Sequence, residues 1–158
     1  MTKSILDAIR ESLSARGIAF DERHHPPTAT SEESARARGE ELGVGAKALL
    51  LVTDDVFRLF VLPADRKLDS KKVKQQLKVK SVRFATPEEL QTQTGLVPGA
   101  VPPFGPPILP FELFADTSIG VRYPKVAFNA GSLTDSIIMN AGDWQSIANP
   151  ARFDFAKE

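Results

Sequence analysis

The stretch that decides the fold is Lys47-Ala48-Leu49-Leu50-Leu51-Val52-Thr53-Asp54-Asp55-Val56-Phe57-Arg58-Leu59-Phe60-Val61-Leu62-Pro63. Two apolar runs flank a pair of aspartates. Each run has strand length, and Asp-Asp suits a tight turn. The first run, 48–53, is apolar almost without a break, as expected of a strand buried on both faces. The reading is a hairpin deep in a sheet, ended by Pro63.

Helices and further strands extend from this hairpin. Ile5, Leu6, Ile9 and Leu13 recur at helical spacing, with Ser4 as cap and Gly17 as stop. Residues 18–20 then read as a strand. His24-His25-Pro26-Pro27 must run extended. Thr30 opens a second helix, and Glu33 completes a capping box. Asp69 caps a helix over 70–77, 82–84 form a short strand, and Thr86-Pro87-Glu88-Glu89 starts another helix. Six of the 12 prolines lie in 98–110, a shaped loop without regular structure. Strands follow at 111–115, 125–129 and 136–140, and a last helix at 143–148. Helix and strand signals alternate irregularly, so the fold class is mixed α+β in one domain over 1–158.

Composition narrows the chemistry. The 158 residues carry 20 basic and 20 acidic side chains, and 42% are hydrophobic. That material suffices for a core, and zero net charge confines any nucleic-acid contact to a local patch. There is no cysteine, which excludes disulfides, thiolate metal sites and a thiol nucleophile. Its absence fits the cytoplasm. With two adjacent histidines, His24 and His25, a histidine-rich metal site is impossible. No spacing points to a metal or nucleotide cofactor. No window approaches the ~20 apolar residues of a membrane span, and the N-terminus does not read as a signal peptide.

Five features could carry chemistry. Lys47 stands at the mouth of the apolar strand, where an ammonium can bind a phosphate or polarise a carbonyl; a lysine snorkelling to solvent is the simpler alternative. The loop 95–105 combines glycines, whose N–H groups approach a ligand closely, with stiffening prolines. It could equally be a stiff connection. Asn129-Ala130-Gly131-Ser132-Leu133-Thr134-Asp135 offers hydroxyls, an amide and a carboxylate, or turn chemistry alone. His25 could act as a base or simply end a strand at the surface. Residues 66–83 hold eight cations (Arg66, Lys67, Lys71, Lys72, Lys74, Lys78, Lys80 and Arg83) against Asp69. They form either a solvated face or a phosphate-contacting one.

Taken in order, Lys47 before its strand, Pro63-Ala64-Asp65 with Leu68-Asp69, Thr94-Gly95 through Pro98-Gly99 to Pro102-Pro103-Phe104-Gly105, Asp116, and Asn129-Ala130-Gly131-Ser132 with Asp135 resemble the YbaK / prolyl-tRNA-synthetase-associated domain family. The resemblance runs from about His25 to Ala148. It implies a compact mixed sheet, partly closed like a barrel, with flanking helices. It also implies a free-standing aminoacyl-tRNA deacylase that hydrolyses the ester of mischarged tRNA bearing a small amino acid such as Ala, Ser, Thr or Cys. On this resemblance the essential lysine is Lys47, and backbone groups at Gly99 and Gly131 receive the oxyanion. His25, Thr30, Pro102, Phe104, Gly105, Asn129, Ser132 and Asp135 contact the substrate. Arg66, Lys67, Lys71, Lys72 and Lys74 contact the tRNA acceptor end, and a synthetase is a candidate partner. Relatives commonly have Lys-Thr or Lys-Ser where this chain has Lys47-Ala48, so a hydroxyl is missing there. The stretch 25–33 resembles relatives that clear seryl-, threonyl- or alanyl-tRNA. The alternatives are a non-catalytic tRNA- or synthetase-binding module of the same fold, and an esterase using His25 or Ser132.

Overall fold

A computed structural model describes residues 3–157. The elements run α1 (Ile5–Ala15), β1 (Phe20–His24), α2 (Ser31–Arg38), a 3-10 turn (Leu42–Val44), β2 (Ala46–Thr53), β3 (Val56–Pro63), α3 (Ser70–Leu77), β4 (Val82–Phe84), α4 (Pro87–Thr94), β5 (Leu113–Asp116), β6 (Lys125–Asn129), β7 (Asp135–Asn140), α5 (Ala141–Ala148) and β8 (Ala151–Phe153). The fold is mixed α+β, as the sequence implies.

The hairpin β2–β3 is central to a five-stranded sheet of order β4-β2-β3-β5-β8. Its turn places both Asp54 and Asp55 at positive φ, which Asp tolerates better than most residues. The Asp54 carboxylate accepts from the backbone N–H groups of Lys80 and Ser81, tying the turn to the approach of β4. The apolar run is explained by burial on both faces. Leu50, Leu59, Val61, Leu113 and Ala115 join the larger core with α1, α4 and α5. The alternate residues Leu51, Phe60, Leu62 and Phe114 form a second core with Val73 of α3 and Phe155. A three-stranded sheet, β1-β7-β6, covers the other side. A parallel bridge between Gly45 and Ala127 joins the two sheets.

Several boundaries differ from the sequence reading. The first strand begins at Phe20 rather than Ile18, because Arg16, Gly17 and Ile18 donate their N–H groups back to the last turn of α1. At α2, Thr30 caps as expected by accepting from the Glu33 N–H, but the Glu33 carboxylate reaches the Ala29 N–H, so the box is not reciprocal. The box at Thr86 and Glu89 is complete. Strand β5 starts two residues late, β7 one early, and α5 opens at Ala141 under an Asn140 cap. Strand β8, which no sequence signal marks, pairs in parallel with β5.

Candidate functional site

The site forms where the two sheets part. Strand β4 covers the outer edge of β2 only from Leu51 to Thr53. The Leu50 carbonyl accepts from Ala85 N–H on that edge. Backbone groups alternate along a strand, so those of Ala48 face the same edge, beyond the end of β4. A cavity of about 170 Å³ opens there, between β2, α2, the end of β6 and Gly99. An adjoining apolar cavity of about 260 Å³ shares Ala48, Leu49, Gly99 and Val101 with it and extends to Phe84 and Leu90.

Lys47 lines the first cavity as the second residue of β2. Its ammonium makes no hydrogen bond or ion pair among the described residues. Burial lowers its pKa below the ordinary lysine value; Glu32 and Asp65 act against this at longer range, and Lys67 acts with burial. Asp65 itself is engaged by both Arg122 nitrogens, at 2.7 and 2.6 Å. Lys47 is therefore a half-desolvated cation available to a ligand.

A second cation faces the same space. Arg38, at the end of α2, is only 9% exposed and lines the cavity. Its Nε donates to Ser136 Oγ at 2.9 Å and its Nη2 to Asn129 Oδ1 at 2.9 Å. Asn129 in turn donates through Nδ2 to the Gly99 carbonyl at 2.7 Å, so one network holds the guanidinium and the glycine loop together. Burial lowers the Arg38 pKa to about 10, which leaves it charged at neutral pH. The sequence reading missed this residue. Its one signal is a stripe of Ser31, Ser34 and Ala35 with Arg38 on a single face of an otherwise charged helix. Thr28, Thr30, Ser31 and Ser34 add a hydroxyl wall, with Thr28 and Ser34 bonded to each other at 2.8 Å.

Of the residues expected at the site, the structure brings Lys47, Thr30, Gly99 and Asn129 to one cavity. The Gly99 N–H has no partner among the described residues. The others are placed elsewhere. The Gly131 N–H donates to the Ala100 carbonyl at 3.0 Å, so it is not free for an oxyanion. A Cβ at Gly131 would lie 2.9 Å from Ile5 Cβ, so this glycine serves the close packing of α1. Pro102, Phe104 and Gly105 are buried, and Phe104 packs edge-on to Phe128 at 5.4 Å. Trp144 Nε1 donates to the Pro103 carbonyl, fixing this half of the loop to the core. Ser132 donates to Asp135 at 2.7 Å and accepts from the Asp135 N–H, which is turn chemistry. Asp135 also meets His24 at 2.6 Å; the Ser132 bond, then His24, holds its carboxyl below the usual range.

His25 lies outside the cavity, with Nδ1 at the Pro26 carbonyl and Nε2 at 2.8 Å from Ser136 Oγ. A carbonyl only accepts, so Nδ1 carries the proton. The Ser136 hydroxyl has one proton to share between His25 Nε2 and Asn129 Oδ1. Ser136 is 1% exposed, which seals it from attack on a substrate. His25 and Ser132 form no dyad, since Ser132 is spent on its own turn.

The basic segment lies partly at the rim. Ala64 lines the cavity and Lys67 acts on Lys47 electrostatically. Lys67 and Lys71 are exposed, and Arg66 and Lys74 are half-buried. Lys72 is bonded to Asp154 and to the Ala156 carbonyl. Asp116 is 2% exposed and accepts from the N–H groups of Phe155, Ala156 and Ser118 at 2.7, 2.9 and 3.0 Å, as well as from the Ser118 hydroxyl. It anchors the C-terminal segment beneath the basic helix α3 and stands outside the cavity.

Among the described residues, no group of three or more His, Asp or Glu side chains could hold a metal, and no helix is long and apolar enough to cross a membrane.

Comparison with known proteins identifies relatives in sequence and in fold. The model of the aminoacyl-tRNA editing domain matches residues 25–147. The Multifunctional Ser/Thr-tRNA deacylase ProXp-y of Escherichia coli K12 is 34% identical over 152 residues, covering 92% of this chain and 89% of that protein. A proline–tRNA ligase of Shouchella clausii is 34% identical over 108 residues, which are 68% of this chain but 19% of the ligase. A crystal structure of a candidate trans-editing enzyme for prolyl-tRNA synthetase superposes with a TM-score of 0.82 at 25% identity, over all of both chains. Sequence and fold thus meet on one group of proteins, and the chain belongs to the aminoacyl-tRNA editing domain family.

Proposed function

We propose that this protein hydrolyses the ester linking a small, wrongly attached amino acid to tRNA, and does so in trans, without a covalent intermediate. The observation that carries the reading is Lys47. It is a half-buried cation without a partner among the described residues, on an open strand edge, in a cavity whose lining holds no carboxylate.

The chemistry asks little of the protein. An aminoacyl ester is already activated, so water can attack directly. The cavity lining has no imidazole, thiol or carboxylate to act as nucleophile or base. The ribose hydroxyl beside the ester is the nearest group able to assist the water. Lys47 and the free Gly99 N–H receive the charge that develops on the carbonyl oxygen. One such preorganised donor contributes about 3–4 kcal/mol to the rate.

Size supplies the selectivity. A cavity of about 170 Å³ admits a small side chain, and the hydroxyls of Thr28, Thr30, Ser31 and Ser34 suit serine or threonine. Sieving of this kind adds discrimination that apolar binding alone does not supply for small side chains. The adjoining apolar cavity, with Phe84 58% exposed at its mouth, suits the terminal nucleobase of a tRNA acceptor end.

The test is release of labelled amino acid from a panel of mischarged tRNAs at catalytic enzyme concentration. Multiple turnovers on seryl-, threonyl- or alanyl-tRNA support the reading. Binding of these tRNAs without release would replace it with a non-catalytic module.

A further inference from the structure

A buried guanidinium is ordinarily matched by a carboxylate, and Arg38 is not. Among the described residues no carboxylate lies within ion-pair distance of it. Glu40, whose charge acts on it at longer range, is bonded to Lys125 at 2.9 Å. Its two bonds go to neutral groups, Ser136 and Asn129. A guanidinium has five N–H donors, and these two bonds use one each, so three have no acceptor among the described residues. Nη1 makes no hydrogen bond. Yet no sealed side-chain nitrogen or oxygen among the described residues lacks a partner, so Nη1 is not sealed, and Arg38 lines the cavity. It lies by Gly45, at 3.7 Å from where a Cβ on that glycine would stand. Lys47 faces the same space. Two cations therefore line one cavity, and no carboxylate is among the residues that line it with them.

We propose that Arg38 and Lys47 form a carboxylate-binding site that grips the amino acid freed by hydrolysis, making the released amino acid a competitive inhibitor. The identity of the carboxylate rests on the deacylase reading; the anion site rests on the geometry alone. In the reaction, water oxygen bonds to the ester carbon and the bond to the ribose oxygen breaks. The ribose oxygen keeps one proton of the water, and the new acid gives up the other at neutral pH. A carboxylate, with its charge shared over two oxygens, thus appears only in the product. The planar guanidinium pairs edge to edge with a carboxylate through two parallel N–H···O bonds. A phosphodiester is a poorer occupant, because it would bring two nucleosides into a cavity of about 170 Å³.

The test uses the full chain labelled with 15N-arginine, with Arg38 assigned from R38K. Acetate, L-serine, inorganic phosphate and chloride are titrated at constant ionic strength while the guanidinium resonances are followed. We expect saturable shifts of Arg38 with acetate and L-serine and not with chloride. In R38K, the inhibition of deacylation by L-serine weakens about tenfold or more. If R38K does not fold, Arg38 is assigned in the wild-type chain through its bonded side-chain and backbone nuclei, and the wild-type titration decides alone. Absence of a saturable carboxylate shift overturns the site, as does phosphate binding tenfold tighter than acetate. Carboxylate binding at Arg38 in a protein that deacylates no tRNA would leave the site standing and remove the deacylase reading. Deacylation without carboxylate binding would do the reverse.

Discussion

The cavity and the basic face both present positive charge, in opposite ways. The cavity has two cations, Lys47 and Arg38, partly or largely buried and unmatched by any lining carboxylate. The face over 66–83 has eight, and much of its charge is exposed or engaged: Lys72 bonds Asp154, and Arg83 makes two bonds to Glu89. A few desolvated charges act strongly on one bound group, whereas many solvated ones act weakly on a long polyanion. Number of charges is thus a poor guide to chemistry, and their burial is a better one.

Removing a cavity charge is the sharpest way to break this contrast. We expect Lys47→Ala to lower the deacylation rate about 100-fold or more. Its stability should not fall. The folded-state pKa of Lys47 is depressed by burial, so the charged form is disfavoured by folding at every pH below that pKa. That penalty disappears as pH rises past the unfolded value, and the alanine variant never has it. Thermal melts at pH 7 should show K47A at least as stable as the parent. The same depression sets a pH limb: activity should fall on the alkaline side before the ~10.4 of a free lysine. An active K47A would end the assignment of the cavity as the reaction site.

The basic face breaks differently, through its support. Asp116 holds Phe155 and Ala156, and that segment carries Lys157, whose N–H donates to the Lys67 carbonyl. Asp116→Asn removes charge-assisted bonds in a buried place, a loss of about 3 kcal/mol. Its hydrogen bonds to Ser118, Phe155 and Ala156 keep the Asp116 carboxyl below its ordinary value against the opposing effect of burial. Its stabilisation is therefore complete above the unfolded pKa and lost as pH falls through the lower, folded one. We expect D116N to melt lower at pH 7, to raise KM and to leave kcat unchanged. A matching loss of kcat would mean that the two regions are not separable.

What the sequence disclosed follows the same division between local and distant causes. The hairpin β2–β3 was legible because burial on both faces leaves an unbroken apolar record in Leu49–Val52 and Leu59–Leu62. The caps at Ser4, Thr30, Asp69 and Thr86 were legible because a cap bonds within a few residues of itself. Strand β8 was not: Ala151-Arg152-Phe153 is short, and its pairing with β5 comes from far along the chain. Arg38 was not, because Ser-Glu-Glu-Ser-Ala-Arg-Ala-Arg has the composition of a solvated helix. Only its partners Asn129 and Ser136, brought in by β6 and β7, reveal that it is buried. The proline loop was legible as a shaped segment. Its split, with Gly99 at the cavity and Phe104 in the core, depends on where Phe128 and Trp144 pack.

The smallest effect sharpens the comparison within the face itself. Lys67 and Lys71 are exposed and have no ion-pair partner among the described residues, whereas Lys72 is committed to Asp154 and the Ala156 carbonyl. A cation that neutralises a phosphate of single-stranded nucleic acid contributes about 0.7 to the slope of log affinity against log salt. We expect the double variant Lys67→Gln, Lys71→Gln to lose about 1.4 of that slope while hydrolysing bound substrate at the parental rate. Lys72→Gln should leave the slope unchanged and lower the melting temperature, because its work is to hold the C-terminal segment. Salt titrations of tRNA binding with all three proteins measure this directly. A slope loss of about 0.7 for Lys72→Gln, half that of the double variant, would show that the Asp154 pairing gives way on binding, and the distinction between engaged and available cations would then hold only for the cavity.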